Sequence, residues 1–335
     1  MNKSNKIAFW RNFLIGIVIS GVALWLVLRS ISWQALGQDL LSINPGALAL
    51  ALGLYLVAMS IRALCWRTIL QGRVSWPRAF FVMNEGYLLN NVFPLRVGEL
   101  GRAVIMGRRS GLGFFQVISS ILVERAFDMA IAASLLLSTL PLVLAMAWAR
   151  PLAWTILGLV LAALVGLFFM VRHREALVQW AARVGQRFSF FTQWLLPKIN
   201  SVLEGFSILT RPGAFALSFG LLFLSWSLAI VQEFIILRSL VPGAAIWWVA
   251  FVLAVSAIGA GVPSVGGSIG VYEAAAVGAL ILLGVDKNSA LAFAIVVHAI
   301  QLGLSSLFGF IGLTQEGESL LSFYQSLTNK KTQTD

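Results

Sequence analysis

The sequence predicts an all-α protein: a polytopic, integral membrane helical bundle with about six full spans plus broken or re-entrant helices, for which inverted repeats are a candidate organisation. Three observations lead there. Hydrophobic residues make up 59% of the chain and charged ones only 11%, against about 25% charged in ordinary globular domains, and the mean hydropathy is +0.89. Six apolar runs, 12–28, 47–67, 114–140, 151–171, 213–237 and 288–313, are each long enough for a crossing, which takes about 20 residues. Between them lie two stretches, 90–102 and 263–273, where proline, glycine and charge interrupt the apolar pattern. Charge at membrane depth costs about 2.5–3.5 kcal/mol per residue and persists only inside protein or a wet cavity.

The first run follows Lys3, Lys6 and Arg11. No small-residue cleavage site follows it, so the run is expected to stay as an uncleaved span. Three shorter apolar pieces, 79–95, 247–262 and 271–284, do not reach a comfortable crossing length. Their topology follows from where the basic residues fall, because Lys and Arg collect on the cytoplasmic side. If 79–95 re-enters, the cluster Arg96, Arg102, Arg108 and Arg109 stays on the same side as Arg67, Arg73 and Arg78. Of the 24 Lys and Arg, four (Arg29, Arg150, Arg238, Lys287) then lie outside and Arg62 and Arg125 lie within spans, leaving 18 inside. Both termini are therefore expected in the cytoplasm, with 247–284 either a re-entrant hairpin or two thin spans.

Residues 1–315 read as a single transmembrane domain and 316–335 as a polar cytoplasmic tail. Within the polar connection 172–212, Leu177, Trp180, Ala181, Val184 and Phe188 recur at helical spacing, as in a helix lying on the inner membrane surface. A net charge of +11 is spread between apolar segments, so it marks topology and does not suggest nucleic acid. One cysteine and two histidines leave no basis for a disulfide or a transition-metal site. No phosphate loop and no nucleophile–base arrangement stands in the sequence; no cofactor and no enzymatic activity are expected.

The polar residues inside apolar runs are the candidates for function. Glu124-Arg125-Ala126-Phe127-Asp128 sets two carboxylates four residues apart on one helix face, with Arg125 within reach of Asp128. This is either an internal ion-pair brace or a site for a proton or a cationic headgroup. Glu85 and Glu233 complete the predicted buried charge. In the two interrupted stretches, Asn91, Arg96, Glu99 and Arg102 of the first and Gly266, Gly267, Gly270 and Glu273 of the second are the candidate lining of a headgroup cavity. Glycines before a helix free N–H groups for an anion, and arginine offers the planar fork phosphate prefers. The alternative is that the glycines only let helices pack closely.

At these residues the chain resembles the transmembrane region of lysylphosphatidylglycerol synthase, the flippase portion of the bacterial multiple peptide resistance factor and its stand-alone relatives. Asn91, Pro94, Gly98, Glu99 and Arg102 match its first motif, Glu124, Arg125 and Asp128 its second, and Pro263, Gly266, Gly267, Gly270 and Glu273 its third. The resemblance runs over about 10–315 and implies translocation of an anionic phospholipid or a polyprenyl-phosphate-linked lipid in a bacterial inner membrane. The aminoacyl transferase domain fused to some members has no counterpart here. Ser264, Ser268 and His298 depart from the family pattern, the last standing near a position where an arginine is common. The other readings are a membrane-embedded transferase and an accessory or structural partner in lipid synthesis. Membrane lipid is the expected partner, with self-association or a lipid-synthesis enzyme as further ones.

Overall fold

The computed structural model describes residues 3–93, 97–143, 149–173, 176, 179, 206–262 and 264–315. It is 86% helical, with no strand among the described residues. Among the described residues eleven α-helices follow one another: α1 Lys3–Leu28, α2 Trp33–Ser42, α3 Pro45–Ile69, α4 Trp76–Val92, α5 Val97–Ser110, α6 Phe114–Val143, α7 Ala149–Arg172, α8 Pro212–Leu240, α9 Ile246–Gly259, α10 Val271–Leu282 and α11 Lys287–Gln315. Most of 172–212, the expected surface helix, lies outside the described residues, as do Pro94, Arg96, Pro263 and the tail.

Among the described residues four helices, α3, α6, α8 and α11, are long and apolar enough to cross a membrane; Gly16–Leu28 with α2 makes a fifth only as a pair bent by 88°. These account for the runs 47–67, 114–140, 213–237 and 288–313, while 12–28 falls within α1 and 151–171 within α7. The bend after α1 comes at Arg29–Ser32, where the Ser32 hydroxyl accepts from the Ala35 N–H at 3.4 Å and starts α2.

The short pieces behave as their lengths require. Helix α9 has 14 residues and α10 has 12, about 21 and 18 Å at 1.5 Å per residue, against about 30 Å of hydrocarbon. Neither crosses alone. Helix α4 runs unbroken for 17 residues, and its interruption comes only after Val92.

The chain divides into two compact units, one of residues 1–56, 81–101 and 229–335, the other of 57–80 and 102–228. In the first, α10 packs on α1, α9 and α11, and α11 packs on α2. Lys287 Nζ donates to the Leu26 carbonyl at 3.2 Å and to Ser30 Oγ at 2.5 Å, so the start of α11 holds the α1–α2 corner. Close helix contact on the opposite stretch of α11 depends on glycine: a Cβ on Gly312 would meet Glu85 Oε1 at 2.5 Å, and one on Gly309 would collide with the Asn84 carbonyl and meet Leu88 Cβ at 2.7 Å. In the second unit α6 packs on α7, and Phe127 meets Phe215 and Phe219 edge to face at 5.3 and 5.5 Å.

Gly309→Ala should therefore destabilise the protein by about 1–3 kcal/mol, the usual range for overpacking. Gly303→Ala on the same helix meets nothing within 4 Å and should leave thermal unfolding in detergent unchanged.

Candidate functional site

The site in the first unit is built around the break between α9 and α10. The chain turns at Ala260–Val262 and makes one 3-10 turn over Gly266–Ser268. It restarts as a helix at Val271. Gly267, Ser268 and Gly270 have φ of 70°, 57° and 87°, the left-handed region that glycine enters without steric cost and serine does not. Three neighbours hold the turn. From α1, the Ser20 hydroxyl accepts from the Val265 N–H at 3.1 Å, and a Cβ on Gly270 would meet the Ser20 carbonyl at 2.5 Å. From the end of α4, the Asn91 carbonyl would lie 2.5 Å from a Cβ on Gly266. From α11, His298 Nε2 stands 2.8 Å from the Gly267 carbonyl.

The ends of the two interrupted elements therefore touch. Asn91 is fixed by donating its amide to Ser305 Oγ at 3.1 Å and to Ser306 Oγ at 2.9 Å. Across the first interruption, Asn90 Oδ1 accepts from the Gly98 N–H at 2.7 Å, and Gly98 packs directly on the Gly86 carbonyl. Only a residue without a side chain fits there.

Glu273 has a local task as well as a partner. Its Oε2 accepts from the Gly270 N–H at 2.6 Å, the half of a capping box that a glutamate at the third helical position supplies. Its Oε1 lies 2.6 Å from His298 Nδ1. The imidazole lies against Tyr272, with ring centroids 4.4 Å apart and the rings tilted by 35°. Next to them, Gln301 stands 3.5 Å from Glu233 Oε1. Glu233 Oε2, both amide atoms of Gln232 and Ser256 Oγ are buried with no hydrogen-bond partner among the described residues. The first unit thus encloses a polar seam in apolar surroundings.

The second unit encloses an ion cluster. Glu124, fully buried, is met by Arg62 Nε at 3.0 Å, Arg102 Nη2 at 2.9 Å and Arg125 Nη2 at 2.7 Å. Asp128 pairs with Arg62 and, at 3.0 Å, with Arg125, and it accepts from the Trp226 indole at 2.9 Å. The Arg102 guanidinium lies 4.0 Å above the Trp66 ring, a contact worth about 2 kcal/mol when desolvated. The Trp66 indole in turn donates to Ser120 Oγ at 3.1 Å. The cluster is most open at Arg62 and Arg125, whose side chains are 16% and 33% exposed against 2% for Arg102.

Of the residues expected to line a headgroup cavity, Asn91, Gly266, Gly267, Gly270 and Glu273 come together around the break. Glu99 sits half-buried in the first turn of α5, with no ion pair among the described residues. Arg102 is a member of the ion cluster, and Arg96 is outside the described residues. Of the expected buried charges, Glu124, Arg125 and Asp128 form one group, while Glu85 and Glu233 belong to the other unit. Sequence reasoning left Arg62 without an assigned partner and missed Trp66, Trp226 and Gln301. The stripe His298, Gln301, Ser305 on one face of an apolar helix was the signal that could have found the polar seam.

Interrupted membrane helices that meet by their ends beside a buried polar seam define a polytopic membrane protein with a polar interior. The chain belongs to the lysylphosphatidylglycerol synthase TM region family, whose family model matches residues 13–309. Neither the curated proteins nor the solved structures give a match. Membership supports a membrane function connected with lipid.

Glu124→Gln would leave three arginines facing a single carboxylate, and breaking a buried pair costs about 3–5 kcal/mol. Its melting temperature and folded yield should fall well below those of Glu99→Gln, which should stay within about 0.5 kcal/mol of the parent.

Proposed function

We propose that this protein is a flippase-like translocator of a bacterial inner membrane, moving an anionic phospholipid or a polyprenyl-phosphate-linked lipid. The headgroup passes through a polar cavity associated with the broken helices, and no chemistry is done on it. The observation that carries this reading is the meeting of the two interruptions, Gly266 against Asn91. Irregular backbone at membrane depth persists where protein covers it or where it lines a polar path. Paired interrupted helices are a recurrent device for placing a polar substrate near the midplane. The glycines let the substrate approach backbone N–H groups, which suit the negative charge of a phosphate. Family membership supports the lipid as cargo. A membrane-embedded transferase, or an accessory subunit of a lipid or envelope synthesis complex, is the second reading.

Reconstitution in liposomes separates the two. The wild-type protein should carry a fluorescent anionic phospholipid between leaflets. Gly266→Leu, which forces a side chain into the Asn91 carbonyl, should reduce movement to the protein-free rate while the protein still inserts. Gly278→Leu, with open space around it, should move lipid normally. A wild-type protein that moves no lipid would leave the second reading standing.

Both termini and residues 96–110 are cytoplasmic in this reading, supported by the distribution of the basic residues. A cysteine at the exposed position 108, in a chain lacking Cys65, should react with an impermeant reagent only from the cytoplasmic face. Reaction from the periplasmic face alone would remove the re-entrant arrangement of α4.

A further inference from the structure

We propose that Glu273 and His298 together form a proton-binding site that couples proton movement to the shape of the α9–α10 break. The inference rests on the translocator reading and adds an energy source to it.

The hydrogen bonds require one shared proton. His298 Nδ1 faces Glu273 Oε1 at 2.6 Å and Nε2 faces the Gly267 carbonyl at 2.8 Å. A carbonyl oxygen only accepts, so Nε2 must carry a hydrogen. A second proton must then lie between Nδ1 and Oε1, on the imidazole or on the carboxyl. Either placement gives a pair with no net charge, the form tolerated in apolar surroundings. When that second proton leaves, the imidazole keeps one hydrogen for two acceptors. Its bare nitrogen then opposes either the Glu273 carboxylate or the Gly267 carbonyl, and that contact opens. Glu273 also holds the Gly270 N–H at 2.6 Å, so losing the proton loosens the turn either at the Gly267 carbonyl or at the carboxylate that caps α10.

The surroundings make the pair the centre of this response. Tyr272 lies against the imidazole with the rings tilted by 35°, and beyond it Gln301 stands 3.5 Å from Glu233 Oε1 and from the Tyr55 hydroxyl. The described residues of α1 that pack here, 16–28, carry no charged side chain, and neither does α9. Lys287, at the start of α11, is engaged with the Leu26 carbonyl and Ser30, so among the described residues of α1, α9, α10 and α11 it is His298 that meets Glu273. The proton enters from one aqueous side, resides between Nδ1 and Oε1, and leaves to the other side as the break changes shape.

Two measurements test this. The first uses His173→Gln, at an exposed position, so that His298 is the sole histidine. In lipid nanodiscs, nitrogen-15 spectra of the labelled imidazole should show a one-proton titration that moves in Glu273→Gln. Imidazole nitrogen shifts that do not move with pH and are indifferent to Glu273→Gln would overturn the proposal. The second imposes a pH gradient of one unit on liposomes. Lipid should become asymmetric between leaflets by up to about tenfold per coupled proton. In His298→Gln, whatever its rate, the distribution should be the same with and without the gradient. Wild-type movement indifferent to the gradient would overturn the coupling and leave the translocator reading intact. Absence of any lipid movement would count against the translocator reading, and the nitrogen-15 titration would then decide the proton site by itself.

Discussion

The structure depends on one constraint: the backbone that leaves helical geometry between α9 and α10 has to be satisfied where water is scarce. A peptide group without a partner in hydrocarbon costs several kcal/mol, so the turn is held by side chains brought from distant parts of the chain. Ser20 receives the Val265 N–H, Glu273 receives the Gly270 N–H, and His298 meets the Gly267 carbonyl. Each is a polar residue in an otherwise apolar helix.

Glycine is the other half of that solution. Gly266 and Gly270 are small where the Asn91 and Ser20 carbonyls press against them, and Gly98 is small against the Gly86 carbonyl. Backbone touches backbone at each point. These contacts let two interrupted elements meet by their ends, and the meeting creates a polar, partly open surface within a lipid-facing fold. The second unit meets its own electrostatic demand by gathering three arginines around two carboxylates, because no single buried charge is tolerable alone.

Much of this was legible in the sequence, because hydrocarbon imposes simple rules. The apolar runs fixed the long helices, and the lengths of 247–262 and 271–284 marked them as incomplete crossings. The spacing of Glu124 and Asp128 placed both carboxylates on one face with Arg125. Partners distant in sequence were not legible. Arg62 reaches Glu124 across 62 positions and Trp226 reaches Asp128 across 98, and helical periodicity says nothing about which faces of two helices meet. His298 looked like an isolated departure because its partners, Glu273 and the Gly267 carbonyl, become neighbours only when α10 folds back on α11. The bend between α1 and α2 was also missed, its signal being one capping serine after a basic residue.

The central claim is that the α9–α10 break is an internally bonded turn. Residue-resolved amide hydrogen exchange in lipid nanodiscs tests it most directly. The account predicts that the Val265 and Gly270 amides, bonded to Ser20 and Glu273, exchange far more slowly than those of an exposed turn, and that Ser20→Ala releases Val265 selectively. Exchange of both amides at the rate of an unstructured peptide would contradict it.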